Sequence, residues 1–181
     1  LFFEATNINL FPYKRIPYLV KYKTSMAIDE SSKALYIGGL GFLVYDVSNL
    51  KEPELLKAVP SPLSEEIGFT NPFHANEIKL YQNQDEKVLL FANDTLDIYN
   101  VSNPRNIQLI STIKTPSSAG SLQFTHDPSK ILLVGVSPSD KKVKLHEVNI
   151  SNYSSPTIIR SLEYLSTNTP KLAYLAATSP G

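Results

Sequence analysis

The segment Tyr45-Asp46-Val47-Ser48-Asn49 recurs as Tyr99-Asn100-Val101-Ser102-Asn103 and again as Val148-Asn149-Ile150-Ser151-Asn152, and this repetition restricts the fold more than any other feature of the chain. A repeated element order marks an array of supersecondary units rather than one irregular domain. Each copy runs on without gaps: Pro53, Ile107 and Pro156 align, then Leu55, Leu109 and Ile158, then Val59, Ile113 and Leu162.

Upstream of each copy stands a second recurring element. It reads Lys33-Ala34-Leu35-Tyr36-Ile37-Gly38, Lys87-Val88-Leu89-Leu90-Phe91-Ala92 and Lys130-Ile131-Leu132-Leu133-Val134-Gly135, with a weaker version at 171–176. Ahead of the first three lie short alternating segments, Met26/Ile28, Ile78/Leu80 and Leu122/Phe124, followed by polar turns such as Asp29-Glu30-Ser31-Ser32. No window keeps apolar residues at helical spacing, and the apolar runs are rich in Val, Ile, Tyr and Phe between turn signals. The expectation is all-β: per repeat, four antiparallel strands a to d, which is the blade of a β-propeller.

The repeated residues have physical roles in such a unit. Strand b is nearly continuously apolar because a middle strand covered on both faces must be. Asp46, Asn100 and Asn149 are expected to close an Asx-turn at the end of strand c by accepting a backbone N–H two residues on. Pro53 and Pro156 fall on or before an outermost strand, where a missing donor is tolerated and edge-to-edge pairing is discouraged.

Phe42-Leu43-Val44-Tyr45-Asp46-Val47-Ser48-Asn49 and its two partners resemble the LVIVD repeat, an apolar strand ending in Asp-Val-Ser and then Asn or Asp, often Pro. Asn100 and Asn149 stand in for the expected Asp, and Glu147 interrupts the third apolar strand. The resemblance implies a β-propeller of the kind found in secreted and cell-surface proteins, and it brings no catalytic set.

The expected division is a half-blade at 1–24, blades at 25–60, 74–115 and 119–163, and a half-blade at 164–181. Phe2 to Asn9 reads as a strand c and Arg15 to Thr24 as a strand d; Pro170 to Thr178 reads as a strand b. The two half-blades complement each other, which gives a four-bladed ring if they close within one chain. Paired between chains, they give a head-to-tail self-association; a fragment of a larger propeller is the third option. The start at Leu1, without a charged-then-apolar leader, leads to the expectation of a processed chain or a piece of a longer one.

Seventeen basic and seventeen acidic residues cancel, so the electrostatic footprint of a nucleic-acid binder is missing. Without cysteine, disulfides, thiolate zinc sites and thiol nucleophiles are excluded. The apolar runs are far shorter than the ~20 residues of a membrane-spanning helix, so no membrane span is expected.

The longest departure from the repeat is Pro60 to His74, between the first and second blades. Insertions of this kind often carry function. It would share one face with the Ser137–Lys142 turn, and Phe69, Phe73, His74, Asp140 and Lys141 are the candidate residues for a ligand or partner on that face. His74, His126 and His146 fall on different elements and should not converge on a metal. No Gly-x-Ser-x-Gly, His-Glu-x-x-His or phosphate-binding glycine loop is present, so neither cofactor nor catalytic residues are expected. Four Asn-x-Ser/Thr sequons, at Asn93, Asn100, Asn149 and Asn152, are candidate N-glycosylation sites. The leading expectation is a non-enzymatic structural or adhesive module, extracellular or on a cell surface, with protein partners that include itself. A glycan- or peptide-binding propeller using the Pro60–His74 face is the rival, and a propeller enzyme the more distant one.

Overall fold

The computed structural model describes residues 25–38, 41–60, 77–82, 86–93, 95–115, 118–137, 140 and 142–164. They form twelve strands and, among the described residues, no helix. Three separate four-stranded antiparallel sheets follow one another along the chain. Sheet 1 holds β1 (Met26–Asp29), β2 (Ala34–Gly38), β3 (Gly41–Asp46) and β4 (Glu54–Pro60). Sheet 2 holds β5 (Glu77–Gln82), β6 (Lys87–Ala92), β7 (Thr95–Asn100) and β8 (Gln108–Lys114). Sheet 3 holds β9 (Ser118–Phe124), β10 (Lys130–Val136), β11 (Val143–Asn149) and β12 (Thr157–Tyr164). Each is a simple meander in chain order, so each sequence repeat is one sheet. The expected half-blade at 1–24 lies outside the described residues, as does that at 164–181 except for Tyr164, which is the last residue of β12 in sheet 3.

The turns end the strands by the same chemistry three times. Ser48, Ser102 and Ser151 donate their backbone N–H to the side-chain oxygens of Asp46 (2.8 Å), Asn100 (3.0 Å) and Asn149 (2.8 Å). A second such turn follows at once, with Lys51, Arg105 and Ser154 donating to Asn49, Asn103 and Asn152. Pro53, Ile107 and Pro156 each stand immediately before the outermost strand, outside its ladder. Opposite strand c, each outermost strand then carries one extra residue, at Leu56, Ile110 and Ile159, between pairs such as Val44↔Lys57 and Tyr45↔Leu55. A bulge at the same place in every sheet fixes the register and increases the local twist.

One alignment read from the sequence is corrected by the register. Lys130 pairs with Asn149, whereas Ala34 pairs with Asp46 and Val88 with Asn100. Ser129 therefore holds the place of Lys33 and Lys87, and its carbonyl accepts the Ile150 N–H as theirs accept those of Val47 and Val101. Since strand side chains alternate with period two, a one-residue shift exchanges the faces. The shift puts Ile131 and Leu133 into the core and turns Lys130 toward Asp127 (3.5 Å) and Glu147 (4.0 Å).

The sheets pack on one another through two apolar seams. Ala34, Tyr36, Phe42 and Val44 of sheet 1 meet Ile78, Leu89, Phe91 and Tyr99 of sheet 2. Val88, Leu90, Ala92, Leu96 and Ile98 on the opposite face of sheet 2 meet Leu122, Ile131, Leu133 and Val148 of sheet 3. Hence β6 is apolar from Val88 to Ala92: alternate residues serve alternate seams. Phe42, 2 % exposed, sits edge-on to Tyr99 with ring centroids 5.0 Å apart. Burying an aromatic ring of that size removes a large apolar area from water, and its loss would cost about 3–5 kcal/mol.

The first strands of neighbouring sheets lie beside one another, β1 by β5 and β5 by β9. At the first of these contacts Ser25 Oγ accepts the Ile78 N–H (3.2 Å), and a Cβ placed on Gly38 would stand 3.2 Å from Ile78 Cγ2. A side chain there would press on Ile78 by a few tenths of an ångström, so the close approach of the strands favours glycine. Gly41, at φ 135°, opens β3 in a backbone region that side chains avoid.

Candidate functional site

Two edges of the sheets carry turns. On one edge lie the β1–β2 and β9–β10 turns together with the repeated Asx-turns. Asp29 accepts the Ser31 N–H (3.0 Å) and hydroxyl (2.8 Å), and Asp127 does the same with Ser129 (3.0 and 2.6 Å). These hydrogen bonds from Ser129 hold the Asp127 carboxyl below its ordinary range. For Asp29, burial alone would raise the carboxyl, but the Lys87 ammonium and the Ser32 and Ser31 hydroxyls outweigh it and hold it well below that range. Asp29 is 2 % exposed, and Lys87 reaches it across the first seam from sheet 2.

On the other edge, where a binding face was expected, Asp140 accepts the Lys142 N–H (3.1 Å) and pairs with Lys144 (3.1 Å). The Ser137 hydroxyl first, then the Lys142 N–H and the Lys144 ammonium, hold its carboxyl well below the ordinary range. Lys142 pairs with Glu163 on β12, to which Lys144 also extends (4.0 Å). Asp140 thus belongs to an ion-pair network that ties the β10–β11 turn to the outermost strand. Phe69, Phe73, His74 and Lys141 lie outside the described residues.

The sequons differ in access. Asn93 is buried, at 8 % exposed, while Asn100 and Asn149 are half-buried with their oxygens engaged in the Asx-turns. Asn152 is exposed in the turn before β12. His126 is exposed in the β9–β10 turn, and His146 is 1 % exposed on β11 with Nδ1 2.7 Å from Ser161 Oγ. Burial, and then the Lys144 charge, push the His146 imidazole down. Among the described residues no group of three or more His, Asp or Glu side chains is arranged to hold a metal ion, and no helix is long and apolar enough to cross a membrane.

Asp97 carries no motif that marks it in the sequence. It is fully buried in the middle of β7, on the face turned to sheet 1; Thr95 donates a hydroxyl hydrogen bond to its Oδ1 (3.1 Å), and its Oδ2 has no hydrogen-bond partner. The register is the available signal: Leu43, Asp97 and His146 hold the same place in the three repeats, opposite Ile37, Phe91 and Leu133. A buried carboxylate in a column that holds leucine in sheet 1 and histidine in sheet 3 stands out once the repeats are aligned.

No family model matches the chain, and a search of curated proteins finds none similar to it.

Proposed function

We propose that the chain is a β-propeller module of the LVIVD-repeat type, non-enzymatic, that serves as a structural or adhesive unit at a cell surface or in extracellular material and makes protein contacts through its loops and outermost strand edges. The observation that carries this reading is the threefold identity of fold unit and sequence repeat: each repeat is one four-stranded meander whose first strand lies beside that of the next. First strands side by side, with sheets stacked through apolar faces, is the way blades surround an axis. Each outermost strand is bonded on one side only within its sheet, and Leu55, Leu109, Ile159 and Leu162 are exposed there. The polar groups of the described turns serve the fold: Asp29 holds Lys87, Asp140 holds Lys144, and the Asx residues close their own turns. These features favour a scaffold that presents surfaces over one that performs chemistry.

Two measurements test this together. Light scattering of the purified chain over a wide concentration series reads self-association, and beads coated with the chain, flowed over surfaces bearing the same chain or extracellular-matrix proteins, read adhesion. Growth in particle mass or retention above albumin-coated beads is expected. A particle of constant mass with no excess retention overturns the reading.

A further inference from the structure

The most unusual group among the described residues is Asp97. Its column in the repeat is Leu43 in sheet 1 and His146 in sheet 3, so the strand does not require a carboxylate there. Its side chain is 0 % exposed and enters the seam built by Phe91, Tyr99, Tyr36 and Phe42. A second buried oxygen on the same hairpin also has no hydrogen-bond donor: Asn93 Oδ1. The backbone places the two together, because Asn93 donates its N–H to the Thr95 carbonyl while Phe91 pairs with Asp97. Asn93 is thereby the diagonal cross-strand neighbour of Asp97, a separation that side chains span. Two buried acceptors on one hairpin leave each other unsatisfied, but a single proton on Asp97 Oδ2 would satisfy both; the other buried oxygen without a partner among the described residues, Tyr36 Oη, belongs to the sheet 1 side of the seam.

We propose that Asp97 is a proton-operated latch on the seam between sheets 1 and 2: with its proton in place Oδ2–H donates to Asn93 Oδ1 and the seam is closed, and with the proton lost a bare carboxylate in the seam loosens it. Burial raises the carboxyl, and the hydroxyls of Thr112 and Thr95 only partly offset this. The other titratable groups on this face of sheet 2 are Tyr99 on its own strand, which the Asp97 charge helps to raise, Lys87 at the start of β6, and Lys114, exposed on β8. From sheet 1 the same face carries Asp29, Tyr36, Asp46, Glu54 and Lys57; Asp29 is engaged by Lys87, Asp46 by the Ser48 N–H and Glu54 by Arg105. No lysine, arginine or histidine among the described residues draws the Asp97 proton off. The latch has a direction. A carboxyl raised by folding contributes its full stability below its unfolded value, near 3.8, and loses it as pH climbs through the folded value.

The test compares the full chain with Asp97→Asn, which keeps the shape and a donor without the charge, and Asp97→Leu, which copies Leu43. Urea unfolding and amide exchange are followed from acid to mildly alkaline pH. As pH rises, the wild type should lose stability against both variants and then level off. Its β2, β3 and β6 amides should exchange about tenfold faster or more, beyond the intrinsic base-catalysed rise, since a pKa raised by one changes the folding equilibrium tenfold. Carboxyl-carbon NMR of the wild type, which needs no variant to fold, should show Asp97 titrating above the ordinary aspartate range. Parallel pH profiles, or an ordinary titration, overturn the latch. So does recovery of alkaline stability with added sodium or calcium at constant ionic strength, which would mean that a cation rather than a proton fills the site.

Discussion

Lys87 Nζ lies 2.6 Å from Asp29 Oδ2 and 2.5 Å from Ser31 Oγ, so the first residue of β6 in sheet 2 locks onto the first turn of sheet 1. The carboxylate is almost fully buried, and the pair closes one end of a seam that is otherwise apolar. The equivalent end of the second seam is closed without charge, by Tyr81 packed on Phe124 with ring centroids 5.5 Å apart. Successive repeats are therefore joined by different means, one electrostatic and one aromatic.

Removing one partner of such a pair leaves a buried charge alone. Lys87→Met should cost about 3–5 kcal/mol in urea unfolding, and Asp29→Asn combined with Lys87→Met should recover part of it. Asp29 is held low in the folded chain, so its contribution is present above its unfolded value of 3.8 and is lost as pH falls below it. The wild type should weaken below that pH, and the double variant should weaken less.

His146 gives an acid response at the second seam. Folding lowers its pKa, so the stability is whole above the unfolded value of 6.5 and declines as pH falls through 6.5 toward the folded value. His146→Leu should flatten the stability profile between about pH 5 and 7. A thermal melt series at fixed ionic strength checks this, and an unchanged slope contradicts it.

The repeated Asx-turns should be replaceable in kind. Asn100→Asp reproduces the residue of the first repeat and should be close to neutral, while Asn100→Ala removes the acceptor of the Ser102 N–H and should cost about 0.5–1.5 kcal/mol. Paired urea titrations of the two variants measure the difference.

The strands, their order and their turns were legible in the sequence because each was written three times, and because Asp or Asn before a serine has one local use, which is to fold back on the backbone. Pro53 and Pro156 marked the approach to the outermost strands for the same local reason. What escaped was set by pairing at a distance. The Lys130 register depends on which face Ile131 and Leu133 must bury, and the Asp29–Lys87 pair joins residues from different repeats. Asp97 resembles any other polar residue in a strand until its cross-strand partner Phe91 places it inside a seam. Of the expected binding face, Asp140 is held in ion pairs, and Phe69, Phe73, His74 and Lys141 lie outside the described residues.

The central claim is that these sheets are blades set around an axis, and electron-microscope images of the single particle test it most directly. The account predicts a flat disc that, seen end-on, shows lobes around a central depression, with three of them corresponding to the three sheets. An elongated stack of sheets, with no view showing lobes around a centre, would contradict it.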